Sequence, residues 1–158
     1  MSSKGTGMTD TQTASTRTPP ESVRRPGLVT TPLTEPFWDR ANEGELLIQH
    51  CSSCGHRQHY PRNICISCWA DEPLWMSASG DGVVWTFTVV EKPGHPAWVE
   101  EVPYVIALVE LEEGPRVMTR IVDCPPELVS VGMPVSLTPT WDDQLKQMLL
   151  SFAPAVSE

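Results

Sequence analysis

Cys51, Cys54, Cys65 and Cys68 form two Cys-x-x-Cys pairs with ten residues between them. Each pair can put two sulfurs on one tetrahedral metal ion, because a tight knuckle turn aims both side chains the same way. Gly55 follows the first pair and suits the positive φ such a turn needs, having no Cβ to clash. Four thiolates around one ion make a closed structural zinc site. The spacer is shorter than the roughly 15–20 residues common for this pattern, but it accommodates one short hairpin. With protein sulfur at every ligand position, no site stays open for water or substrate. The metal is therefore expected to fold the chain rather than catalyse.

Other readings of these cysteines are weaker. Two disulfides suit a secreted chain, and no signal peptide precedes these cysteines. A redox Cys-x-x-Cys normally occurs once, beside a βαβ pattern that is absent here. Mononuclear iron takes similar ligands, and spacing alone does not separate it from zinc. His50, His56 and His59 lie close in sequence, but with four sulfurs already placed they are expected to be exposed polar residues.

Little else in the chain has the form of catalytic machinery. Neither a Ser/His/Asp or Cys/His arrangement with familiar spacing nor a Gly-rich phosphate loop is present. His95 sits alone in Pro93-Gly94-His95-Pro96 and reads as a loop residue. Cys124 lies outside the metal set and reads as a small buried residue. Carboxylates abound without a distinguishing spacing, so surface charge is their default reading.

The elements that must carry the cysteines are read from composition and pattern. The chain has 158 residues, 40% of them hydrophobic, and 16 prolines. That content favours short strands and turns over long helices and suffices for one ordinary domain, or a small domain plus a metal module. No apolar run approaches the ~18 residues of a membrane span, and the N-terminus lacks the apolar core of a secretion signal. A cytoplasmic location, where thiols stay reduced, is expected. The net charge of −9 is uneven: residues 1–27 carry +2, residues 28–70 carry −1 and residues 71–158 carry −10.

Residues 1–27 are rich in Ser, Thr, Gly and Pro and bury too little to offset their ordering entropy, so a disordered tail is expected. Residues 33–45 read as a short helix, with Thr34 as cap, Glu35 and Pro36 in the first turn and Gly44 as stop. Phe37 and Ala41 share one face, and adjacent Phe37 and Trp38 imply docking, on the chain's own domain or in part on a partner. Residues 46–50 read as a strand entering the first knuckle. Trp69 to Trp75 reads as a connector whose tryptophans pack the ribbon against the second half of the chain. That half reads as five strands: 82–92, with Val83, Trp85, Phe87 and Val89 on one face; 104–112; 116–122; 135–141, with Val135, Leu137, Pro139 and Trp141 on one side; and 146–152. Five antiparallel strands with a longer third connection fit a small Greek-key barrel of the OB type, with an open sheet as the alternative. The expected class is mainly β: a short N-terminal helix and zinc ribbon over 28–75, then a five-stranded OB-fold over 76–158.

The ordered set of a helix, Cys-x-x-Cys-Gly, Tyr60-Pro61-Arg62-x-x-Cys-x-x-Cys, Gly80-Asp81-Gly82-Val83-Val84, Pro103-Tyr104-Val105-Ile106-Ala107 and Gly132-Met133-Pro134-Val135 resembles the acyl-CoA-associated proteins that pair a rubredoxin-like zinc ribbon with an OB-fold. The resemblance covers roughly residues 33–153, and the cysteine spacing is its most specific part. It implies an accessory subunit, holding structural zinc, for a thiolase-like or lipid-transfer-type enzyme, or for an acyl-CoA hydratase, with the catalytic residues on the companion. The implied chemistry is carbon–carbon cleavage of a CoA thioester, thiolytic or retro-aldol, including steroid side chains, with acyl-CoA as a ligand shared with the partner. Under this reading Arg116 and Arg120, four apart on one strand face, are the candidates for CoA phosphates; pairing with nearby acids is the other account of them.

Nucleic-acid binding is the competing class, since zinc ribbons and OB barrels both serve it and aromatic side chains stack bases. That function rests on a basic groove. Four basic against fourteen acidic residues over 71–158 repel a polyanion across most of the barrel.

Overall fold

A computed structural model describes residues 23–155. Helix α1 runs Glu35–Asn42, with proline in its first turn and only Ala41 fully buried. Thr34 precedes it but does not cap it through its side chain; its Oγ1 instead accepts from the Thr31 backbone N–H at 3.0 Å. Gly44, at φ +83°, ends the helix in the left-handed conformation where glycine carries no steric penalty.

Three short strands form the ribbon sheet, β1 (Leu47–His50), β2 (Arg57–Gln58) and β3 (Leu74–Ser77), in the order β2-β1-β3. β3 occupies part of the stretch expected to be a connector and crosses the 75/76 boundary. It pairs antiparallel with all of β1, so the chain re-enters the ribbon sheet before it begins the barrel.

The barrel consists of β4 (Asp81–Val90), β5 (Tyr104–Leu111), β6 (Arg116–Ile121), β7 (Pro134–Asp142) and β8 (Gln147–Pro154). It closes in the order β4-β5-β6-β8-β7. The pairings are antiparallel except one: β8 closes against β6 in parallel through Ile121 and Phe152. The five-stranded barrel expected from the sequence thus includes one parallel closure among antiparallel pairings, because the chain inserts β8 between β6 and β7. At the start of β4, a Cβ on Gly82 would lie 2.8 Å from Val109 Cγ1 and against the Glu110 carbonyl, so only glycine permits this approach of β4 to β5.

Two side-chain patterns also depart from strict alternation. The register of β4 on β5 shifts between Val84 and Thr86. The extra residue of a bulge reverses which side later residues face. Val84 is therefore buried while Val83 and Trp85 are exposed, and Phe87 and Val89 pack on the core. Val83 and Trp85 thus do not share a face with Phe87 and Val89. In β7, Val135 is buried but Trp141 is 55% exposed and its neighbour Asp142 is 4% exposed.

One hydrophobic cluster joins ribbon and barrel. Leu46 and Ile48 belong to the same core as Val84, Val105, Val109, Val135 and Phe152. Burying such side chains contributes about 1.5–3 kcal/mol each, so the barrel holds β1, and with it Cys51, in place.

Candidate functional site

β1 ends at His50 and delivers Cys51 directly into the first knuckle. There the Cys51 N–H donates to the His56 carbonyl at 2.8 Å and the Gly55 N–H to the Cys51 carbonyl at 2.9 Å. The second knuckle repeats the pattern: Cys65 N–H to the Ala70 carbonyl at 2.8 Å and Trp69 N–H to the Cys65 carbonyl at 3.0 Å. Gly55 has φ +74° and Trp69 φ +64°. Trp69 thus fills, at a steric cost, the left-handed position that glycine takes in the first turn. It is also 74% exposed, so it does not pack the ribbon against the barrel as expected.

The four cysteine sulfurs all lie within 4.8 Å of one another. Cys51 Sγ is 3.6 Å from Cys68 Sγ, and Cys54 Sγ is 3.7 Å from Cys65 Sγ. A tetrahedron with Zn–S bonds of about 2.3 Å has S–S edges of about 3.8 Å. The separations therefore fit one tetrahedral ion and are far from the ~2.05 Å of a disulfide. Electrostatics points the same way. The Cys54 backbone N–H holds the Cys51 thiol down to about 6. The Ala70 N–H favours the Cys68 thiolate too, but the surrounding sulfurs and burial outweigh it and push that thiol up to about 12. Crowded sulfurs resist ionising together, and a divalent cation at their centre removes the conflict.

Two residues with no signature in the sequence organise the segment between the knuckles. Gln49 and Gln58 are 2% and 5% exposed. Gln58 Nε2 donates to Gln49 Oε1 at 2.8 Å, Gln49 Nε2 donates to the Arg62 carbonyl, and Gln49 Oε1 accepts from the Arg62 N–H at 2.9 Å. Gln58 Oε1 accepts from the Ile66 N–H at 3.0 Å. A polar residue within a buried strand is the only trace that could have flagged them.

The ribbon histidines are not the exposed residues expected. His56 and His59 are half-buried. Burial pushes His59 down to about 4, and its ring meets Phe37 edge-on at 5.6 Å between centroids. His95 has a structural role: its Nδ1 accepts from the Ala97 N–H at 3.2 Å at the start of a 3₁₀ turn over Pro96–Trp98. Cys124 is half-buried and packs on the core.

Arg116 and Arg120 project from the same outer face of β6 but line different cavities. Arg116 stacks over Trp85 at 3.5 Å and pairs with Glu110 at 2.9 Å. It lines a cleft of about 610 Å³ between the first knuckle and the β5–β6 turn, with Arg57 and Arg62. Arg120 pairs with Glu101 and lies over Tyr104; burial lowers its basicity. It borders an apolar groove of about 400 Å³ beneath α1. Arg25, within the stretch expected to be a disordered tail, is held against the barrel by Glu101 and Asp142. Residues 1–22 of that stretch lie outside the described residues.

Residues 38–73 match the family model described as "ChsH2, rubredoxin-like zinc ribbon domain", and residues 75–139 match "ChsH2, C-terminal OB-fold domain". The chain is 38% identical over 124 residues to a "Probable enoyl-CoA hydratase alpha subunit" of Thermomonospora curvata, covering 77% of this chain but 38% of that protein. It is 39% identical over 100 residues to a "DUF35 domain-containing scaffold protein" of Methanocaldococcus jannaschii, covering 62% of this chain and 70% of that one. Among solved structures it superposes on a chain of "Ltp2-ChsH2(DUF35) aldolase" with TM-score 0.73 and 35% identity, covering 84% of this chain and 100% of the other.

Proposed function

The chain belongs to the ChsH2/DUF35 family of joined zinc-ribbon and OB-fold domains, and on that premise we propose that it is the accessory subunit of a thiolase-like acyl-CoA enzyme. The single observation that carries this reading is the 35% identical match that spans the whole of one chain of an aldolase named for two components. The chain's own architecture supports it. The cysteine cluster leaves no ligand position for substrate, and its geometry suits a structural zinc on Cys51, Cys54, Cys65 and Cys68. Bound there, the metal ties two knuckles together and contributes folding free energy.

Under this reading the companion performs carbon–carbon cleavage of a CoA thioester, thiolytic or retro-aldol, and a steroid side chain is the substrate class to test first. The present chain stabilises the companion and completes the acyl-CoA site. Ile66 and Trp69 on the second knuckle, 54% and 74% exposed, supply an apolar surface of the kind that partner interfaces bury.

The test is a tagged pull-down from the native host's extract, with bound proteins identified by mass spectrometry and zinc measured on the eluate. Near-stoichiometric recovery of a thiolase-like or hydratase-like protein is expected. Recovery of nuclease-sensitive RNA-processing proteins instead would overturn the reading.

A further inference from the structure

The two cavities of the ribbon–barrel junction differ in character and share two walls. The cleft beside the first knuckle is lined by Arg57, Arg62 and Arg116, and the groove beneath α1 by Phe37, Trp38, Met118 and Leu149; His59 and Tyr60 border both. Charge pairing sets Arg57 and Arg62 apart from their neighbour Arg116. Arg25, Arg40, Arg116 and Arg120 each pair with a carboxylate. Among the described residues, Arg57 and Arg62 form no ion pair; Arg57 reaches only the Glu113 carbonyl, at 3.5 Å. The one carboxylate in the cleft, Glu113, turns its Oε1 to the Ser79 N–H at 2.6 Å. Two unneutralised guanidiniums in a chain of net charge −9 mark a point that attracts an anion while most of the surface repels one. The adjoining groove stays uncharged at His59, whose buried ring is neutral at pH 7.

From this we infer that one amphipathic anion spans both cavities: the phosphorylated nucleotide end of an acyl-CoA lies in the cleft against Arg57 and Arg62, and its acyl chain turns past Tyr60 into the groove beneath α1. The assignment rests on the acyl-CoA reading above for the identity of the head group; the juxtaposition of basic cleft and apolar groove rests on the geometry alone. Tyr60, 57% exposed, stands where the ligand changes character. Arg116, already stacked and paired, shapes the cleft rather than supplying its free charge, and Arg120 borders the acyl end rather than the phosphates.

The experiment is isothermal titration of the zinc-loaded full chain with octanoyl-CoA, CoA, octanoate and lysophosphatidic acid below its micelle concentration. Octanoyl-CoA is expected to bind more tightly than CoA, and octanoate not to bind. Arg57→Gln and Arg62→Gln should each weaken both CoA ligands about tenfold, the scale of one lost charge-assisted hydrogen bond. Met118→Ser, which removes apolar lining without adding charge, should cut the advantage of octanoyl-CoA over CoA about tenfold. Each variant's melting curve and zinc content verify that the fold is kept. Equal affinity for CoA and octanoyl-CoA, wild-type binding by both arginine variants, or tighter binding of lysophosphatidic acid would each overturn the inference. These outcomes are separate from the pull-down: a recovered companion with no ligand binding sinks this inference alone, and ligand binding with no companion sinks the accessory-subunit reading alone.

Discussion

Gln58 donates its side-chain amide to the Gln49 side-chain carbonyl at 2.8 Å, from β2 to β1, in a buried setting. The pair fixes both the Arg62 backbone and the start of the second knuckle at Ile66. Position of the second Cys-x-x-Cys relative to the first therefore depends on two neutral side chains as well as on metal.

Gln58→Leu removes those bonds and leaves the Ile66 N–H and part of Gln49 unpaired in a buried site. A loss of about 2–3 kcal/mol is expected. Urea unfolding of the zinc-loaded protein measures it, and a loss below about 0.5 kcal/mol would show that water replaces the glutamine without penalty.

Cys65→Ser has a different signature. Cys65 is fully buried and metal binding is coupled to folding, so the variant should lose its zinc and its cooperative unfolding transition together. Zinc stoichiometry and near-ultraviolet circular dichroism report both. A folded, metal-free Cys65→Ser protein contradicts a structural role for the ion.

His59 gives a pH dependence. Its folded value, about 4, lies below the unfolded value near 6.5. The unfolded chain therefore binds the proton first, and stability is full above about pH 6.5 and falls as pH drops toward 4. Between pH 7.5 and 5.5 the expected loss is about 1 kcal/mol. His59→Leu should remove that component, seen as a smaller difference in melting temperature between the two pH values.

Asp142 titrates in the opposite sense. Burial opposes its ionisation, but the Leu145 N–H and the Arg25 guanidinium outweigh burial and hold its carboxyl below the usual range. A depressed carboxylate stabilises the fold above its unfolded value, near pH 4, and that contribution is lost as pH falls through the folded value. Arg25→Ala leaves the carboxylate buried without its cation and should cost about 2–4 kcal/mol at pH 7. Deletion of residues 1–27 should cost as much, because Arg25 leaves with them. Thermal melts of the two variants test this, and an unchanged melting temperature in both would show the contact to be dispensable.

Trp69→Ser should leave zinc content and melting temperature near wild type, since the side chain is exposed. If the second knuckle meets the companion, the variant should retain it at least about thirtyfold less tightly, the scale of an interface hot spot. Undiminished co-purification would move the interface elsewhere.

The sequence by itself determined the metal cluster and the barrel. Four cysteines at those spacings are a local pattern that knuckle turns satisfy almost regardless of context, and the alternating stretches from Asp81 to Pro154 are local too, so strand existence and order were readable. What only the tertiary structure decided arises between distant residues. The bulge at Val84–Thr86 reverses the faces of β4, and nothing in a period-two pattern shows an inserted residue. β8 closes on β6 in parallel, a choice set by packing around Phe152. Trp69 points to solvent and Arg25 docks on Asp142, 117 residues away. Arg116 and Arg120 share a strand face as their spacing requires, yet they serve separate cavities, because helix α1 and the ribbon cover different parts of the barrel wall. Spacing fixes which way a side chain leaves its strand; only the assembled fold decides what it meets.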